Sequence, residues 1–347
     1  MEQEEAVWHS GQVLRCLYQH DINHVDAMGK FANHLHTPEK NRTASLSLVS
    51  CHLAPDNVRK FIFNVGRGNQ VETVFIPSPS RGSICLSTQA GCTLACAFCA
   101  TGQQGFSHNL TVAQIIGQIW QVRQMLSSSI DNGELPPIRN VVFMGMGEPL
   151  SNFSNVVHAL HLLLDDNAWG FSRRRVTIST VGIVPAMDRL REVAPVALAV
   201  SLHAPDDELR NRLVPLNRKY PLRELLNACL RYLERAPRGY ITFEYTLISG
   251  VNDSDAQARA LTKLLRQVPC KLNLIPLNTV SALPWQRPSD ERVFAFQKIL
   301  LDAGYFTTVR KARGSEIGAA CGQLVGKIQD KTRRARFNVR KGKKLCT

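Results

Sequence analysis

The sequence predicts an α/β fold in which parallel strands run in series and helices cover the sheet. Two observations carry this. From about residue 84 to 310, six short runs rich in branched apolar residues alternate with amphipathic stretches, as buried parallel strands and their crossover helices do. Polar or glycine-rich residues also recur at the same end of every run. Six βα units in series give either an incomplete barrel or an open doubly wound sheet, with the active site at the C-terminal strand ends. At 347 residues and 44% hydrophobic, the chain can bury the core such a sheet needs.

In chain order, residues 8–40 read as a small helical piece (11–18 and 27–35). A hairpin follows over 60–77, with strands 60–65 and 71–77 around the turn Gly66-Arg67-Gly68-Asn69. The core strands are expected at 84–87, 141–144, 176–179, 197–202, 241–247 and 272–276. Thr111-x-x-Gln114 is a capping box opening a helix over 112–126, whose inner face carries Ile115, Ile116, Ile119 and Val122. Pro185 suits a first helical turn, and 221–234 and 255–268 carry Leu at helical spacing. Ser127–Ser129 with Asp131-Asn132-Gly133 reads as a loop. The strand ends are marked by Gly145-Met146-Gly147-Glu148-Pro149, Ser179-Thr180-Val181-Gly182, Ser201-Leu202-His203, Asn252-Asp253 and Pro276-Leu277-Asn278. One site is implied.

No apolar run approaches the ~18 residues that span a bilayer. The acidic start Met1-Glu2-Gln3-Glu4-Glu5-Ala6 has none of the regions of a signal peptide, so a cytoplasmic location is expected. The ten cysteines are then ligands, catalysts or buried thiols rather than disulfides. Net charge is +14 and residues 331–347 hold eight Lys or Arg and no acid, which points to a polyanionic partner.

Cys92, Cys96 and Cys99 stand as C-x3-C-x2-C directly after the first core strand. Three thiolates can hold a cubane iron–sulfur cluster by three irons and leave the fourth for a small molecule, whereas electron-transfer clusters normally take four cysteines. A zinc site would need a further ligand pair, and only His108 lies near. A disulfide disagrees with the expected compartment.

The cluster motif, Gly145–Pro149, Arg174–Gly182, Ser201-Leu202-His203-Ala204-Pro205 and the run from Arg313-Gly314 to Ala319-Ala320-Cys321-Gly322-Gln323-Leu324 together resemble the radical-SAM RNA methyltransferases of the RlmN/Cfr type, from roughly residue 11 to 335. The resemblance implies a partial (β/α)6 barrel with a [4Fe-4S] cluster on Cys92, Cys96 and Cys99 and S-adenosylmethionine (SAM) as second cofactor. It implies methylation of an adenine carbon, C2 rather than C8, in rRNA and/or tRNA. Two SAM molecules serve: one methylates Cys321, and the other gives the 5′-deoxyadenosyl radical that activates that methyl. Cys85 is implied as the partner that assists proton loss and resolves the adduct through a transient disulfide, and Glu72 as the acid/base carboxylate. Gly147, Glu148, Ser179, Ser201, Leu202, His203 and Asn278 are implied SAM contacts. Expected partners are RNA and an electron donor such as flavodoxin or ferredoxin, with no membrane and a monomeric state.

The resemblance divides the chain into an accessory RNA-binding region (1–77), a core (78–312) and a carrier-cysteine loop with basic tail (313–347). It departs at Asn278-Thr279-Val280-Ser281-Ala282-Leu283-Pro284-Trp285, where the family usually has Pro-x-Pro-Gly. It departs again at Gly314-Ser315-Glu316-Ile317-Gly318, which has one acid where three are usual. Two other readings stay open: a radical-SAM enzyme acting at a different RNA site or substrate, and an RNA-binding module holding zinc through the three cysteines and His108.

Overall fold

The computed structural model describes residues 46–280 and 283–332 together with Arg15. The helical pieces expected at 11–18 and 27–35 (Arg15 excepted), and the tail beyond residue 332, lie outside the described residues.

A ten-stranded sheet organises the molecule. Its antiparallel edge is β1 (Ser47–Leu53), β2 (Arg59–Asn64) and β3 (Gln70–Ser78), joined through β3 to β4 (Arg81–Cys85). From β4 onward every neighbour is parallel: β7 (Ile138–Phe143), β8 (Val176–Thr180), β9 (Ala197–Ser201), β10 (Ile241–Leu247), β11 (Cys270–Pro276) and β12 (Thr307–Val309). β5 (Gln89–Gly91) and β6 (Phe106–Asn109) form a separate two-stranded ribbon.

The parallel strands lie in strict chain order without a reversal. Right-handed crossovers between such strands put every helix on one face. The sheet is therefore singly wound and curls as an open barrel, which resolves the choice the sequence left open. The helices are α1 (Ala100–Gln104), α2 (Val112–Asp131), α3 (Phe153–Leu164), α4 (Val184–Val193), α5 (Asp207–Leu213), α6 (Leu222–Leu233), α7 (Asp255–Leu264) and α8 (Asp290–Asp302). In β9, Ala197 to Val200 are all buried, as expected of a strand covered on both faces. Fully buried residues such as Ile84, Val141, Val176 and Phe243 each contribute about 1.5–3 kcal/mol.

The six expected core strands are all present, and β10 coincides with its expected range. The capping box is formed: Gln114 N–H donates to Thr111 Oγ1 (3.2 Å) and Thr111 N–H to Gln114 Oε1 (3.0 Å). Helix α2 runs past its expected end, through Ser127–Ser129, because Ile130 continues the inward stripe of Leu126 and packs on the core. The predicted hairpin is present and continuous with the core sheet, since β3 reaches Ser78 and pairs with β4. Among the described residues no helix is long and apolar enough to cross a membrane.

Candidate active site

A cavity of ≈ 150 Å³ opens at the C-terminal ends of the parallel strands. Strand ends supply Met144, Ser179, Ser201, Glu244 and Thr246 to its wall, the cysteine loop supplies Cys99, and Cys321 closes it from the far end of the chain.

Gly145 and Gly147 begin the wall. A Cβ on Gly145 would stand 2.6 Å from Leu86 O, and one on Gly147 2.6 Å from Gln89 Cβ, while Gly147 has φ +101°. The glycines are required by close approach to the chain's own segment after β4. Glu148 is buried, and Oε1 accepts from Leu150 N–H and Oε2 from Val181 N–H, both at 3.0 Å. Burial pushes its carboxyl up to about 7, against the lowering effect of those donors.

His203 is buried in the left-handed region at φ 61° and packs edge-on against Phe98 at 4.6 Å. Its Nδ1 accepts the Thr246 N–H at 3.0 Å. A backbone N–H only donates, so the ring's proton sits on Nε2. Burial lowers its pKa to about 3, so the ring stays neutral. Ser179, Ser201, Glu148, Gly147 and His203 thus share one wall. Leu202 does not: its side chain is in the core, its N–H donates to Glu244 O, and its carbonyl accepts from Arg210. Asn278 lines an adjoining cavity of ≈ 190 Å³, where its Nδ2 donates to Cys321 O at 2.9 Å.

Cys321 faces both cavities. Burial pushes its thiol up and the neighbouring Arg310 pulls it down. Cys85, at the end of β4, is pushed up to about 12 by burial first and by Cys321 second. The two thiols are therefore electrostatic neighbours, and both are free. Arg310 reaches Glu244 Oε1 at 3.7 Å and is held charged chiefly by Cys321.

Glu72 stands away from both cavities. It is buried in an ion pair with Lys60 Nζ at 3.0 Å, and its Oε2 accepts Val325 N–H at 3.0 Å. Downstream of Cys321 the chain is stapled on two sides. Gly322 O accepts from Ala100, Leu324 O from Thr101 and Gly326 O from Gln104, while Lys327 O accepts from Gln70. The segment after Cys321 is thereby tied to the cysteine loop and the hairpin.

The Radical SAM superfamily family model matches residues 86–261, which is half the chain and holds all three cluster cysteines and the first four strand-end motifs. The chain belongs to the radical SAM superfamily. It is 40% identical to a radical SAM methyltransferase from Sphaerobacter thermophilus of known crystal structure, with TM-score 0.82 over 91% of this chain and 92% of that one. A domain of a pyruvate-formate lyase-activating enzyme from Bacteroides vulgatus (19% identity, TM-score 0.40, 50% of this chain and 99% of that one) is a more distant match. So is SuiB from Streptococcus suis bound to SAM (13%, 0.47, 66% and 51%).

Radical SAM chemistry uses a [4Fe-4S] cluster and SAM, and the donor set fits the cluster. Cys96 is buried and Cys99 half-buried, both thiols are pushed up first by burial, and Cys99 and Cys92 are the next influences on Cys96. Left free, such a group resists ionisation, and bound iron supplies the compensating positive charge. Leu94 N–H donates to Cys92 Sγ at 3.4 Å. The loop is held by its neighbours: Ala97 N–H donates to Leu213 O, Gln103 Nε2 to Cys96 O, and Trp285 Nε1 to Ala97 O at 3.0 Å. Trp285 lies in the stretch that departs from the family pattern, so that departure braces the cluster loop. Among the described residues no three Cys, His, Asp or Glu side chains converge on one metal ion. His108 lies on β6 beside Ser107, which leaves the mononuclear zinc reading without support. A cubane, in contrast, takes its three thiolates on three different irons.

Arg210 was not singled out from the sequence. It is 1% exposed and donates to Leu202 O, Asn217 Oδ1, Val181 O and Ser201 O at 2.7–3.0 Å. It ties together the chain ends after β8 and β9 that carry Ser179, Ser201 and His203. On a short polar helix such as α5 an arginine reads as solvated, and no sequence signal marks it.

Proposed function

We propose that this chain methylates an adenine carbon, C2 rather than C8, in rRNA and/or tRNA, and that Cys321 carries the methyl group. The observation that supports this most is the meeting of Cys321 with Cys85 and with the strand-end cavity. Cys321 lines the strand-end cavity, and Cys85, far earlier in the chain, is its electrostatic neighbour. The methyltransferase relative at 40% identity points to the same reaction class. The +14 charge fits a nucleic-acid substrate.

When bound, the cluster supplies the electron that cleaves SAM. The protein's own residues do the rest. Glu148 takes the α-ammonium of SAM, and His203, with its proton on Nε2, donates into the same wall. Arg310 favours the Cys321 thiolate, the form that accepts a methyl group. Asn278 fixes the Cys321 carbonyl and so aims the side chain between the two cavities. Cys85 resolves the adduct between Cys321 and the base. Glu72, paired with Lys60, anchors the carrier segment through Val325, and an acid/base role would require that pair to open. A flavodoxin or ferredoxin is the electron donor.

The test is mass mapping of RNA from cells carrying wild-type or Cys321→Ala protein. The variant should keep its iron and yield no methylated adenine. The same methylated base with Cys321→Ala would refute the carrier role and favour direct use of the radical. Cys85→Ala should stall as a protein–RNA adduct visible on a denaturing gel.

A further inference from the structure

The opposite end of the barrel holds a groove that the reaction does not use. A cavity of ≈ 490 Å³ lies between the C-terminus of α2 and the N-terminal ends of β7 and β8. Arg123, Arg139 and Arg175 line it against one acid, Asp131, with Trp169 and Phe171 as its aromatic wall. The two rings stack at 6.2 Å and 20°, and the Arg123 guanidinium lies 5.5 Å above Trp169.

Two of these arginines, Arg139 and Arg175, are placed differently from those on the outer helices. There Arg191 pairs with Glu192 and Glu234, Arg231 with Asp188, and Arg292 with Asp255. Arg139 and Arg175 are both exposed and, among the described residues, meet no carboxylate. Clustered unpaired guanidinium groups repel one another unless an anion joins them. Arginine beside stacked aromatic rings suits the phosphates and unstacked bases of a single strand.

We propose that this groove is a second contact site for the RNA substrate, gripping phosphates of a single-stranded segment remote from the reacting base. The inference rests on the RNA reading above. Strand β7 has Ile138 at the groove and Phe143 at the active-site cavity, a separation of about 17 Å at the usual rise per residue. No small substrate reaches both, whereas a folded RNA passing around the barrel does.

The test measures binding of a fluorescein-labelled 20-nucleotide single-stranded RNA to the anaerobically reconstituted holoenzyme by anisotropy, between 50 and 300 mM salt. The double variant Arg139→Gln/Arg175→Gln is compared with wild type. Two lost phosphate contacts should reduce the slope of log K against log salt by about 1.4, which corresponds to about 25-fold weaker binding at 0.1 M. Iron content and SAM affinity should stay at wild-type values. If wild type binds and the variant matches it in affinity and slope, the groove is not an RNA site and the RNA reading stands. If wild type binds no RNA, both fall. Unchanged RNA binding with slower cluster reduction by an acidic flavoprotein would overturn the proposal and assign the groove to the electron donor.

Discussion

Glu148→Gln tests the proposed SAM contact in the strand-end cavity. The wild-type carboxyl is raised from 4.5 to about 7 by burial. Holding it ionised therefore costs about 3 kcal/mol relative to the unfolded chain, at 1.36 kcal/mol per pKa unit. The sign follows from proton counts. Between pH 4.5 and 7 the folded state keeps a proton that the unfolded state has lost, so the free protein loses stability as pH rises through that window. In the proposed contact, bound SAM would reverse the preference, because its ammonium would pair with the carboxylate. Affinity should fall about tenfold per pH unit below 7 as the carboxylate is protonated. It should also decline above about 8 as the ligand's α-amine loses its proton. The glutamine variant should bind about 10- to 100-fold more weakly at pH 7.5, the value of a hydrogen bond to a charged group. It should show no slope between pH 5.5 and 7. Isothermal titration of SAM into the anaerobically reconstituted protein over pH 5.5–8.5 measures both. A flat wild-type profile below pH 7, or a variant that keeps the slope, would refute the assignment.

Arg210→Met removes two buried and two part-buried hydrogen bonds and should destabilise the fold by about 3–5 kcal/mol; a chemical denaturation midpoint equal to wild type would contradict this. Gly147→Ala places a Cβ 2.6 Å from Gln89 Cβ at φ +101° and should cost about 1–3 kcal/mol of strain, with weaker SAM binding in the same titration. Cys321→Ala should make Cys85 easier to ionise, seen as a downward shift in the pH midpoint of its iodoacetamide alkylation followed by mass spectrometry.

What the sequence disclosed depended on whether the decisive contact was local. The capping box needs only Thr111 and Gln114, and β10 is an unbroken apolar run, so both were legible. The rule that sites gather at C-terminal strand ends placed Gly147, Glu148, Ser179, Ser201 and His203 on one wall. β1 was missed because it is an edge strand, mostly exposed, without the alternation that marks one. β12 was missed because three residues carry no period. Glu72 shows the limit best. Lys60 lies opposite Val74 in the β2–β3 register, and Glu72 is its diagonal neighbour. That register, together with a chain segment over two hundred residues away, sets what the carboxylate does.

The two thiols and Arg310 form a small ordered circuit. Arg310 is the leading influence that favours ionising Cys321, whereas for Cys85 it ranks behind the opposing effect of Cys321 itself. Arg310 thus favours ionisation of Cys321 over that of Cys85. In the proposed reaction, methylation would turn Cys321 into a neutral thioether. The second-largest cause of the raised Cys85 pKa then disappears, and Arg310 is left with Glu244 and Cys85 as its remaining anionic neighbours. Under the proposed function, loading Cys321 would remove that opposing charge and ease ionisation of Cys85, while burial, the largest cause, still holds its thiol up.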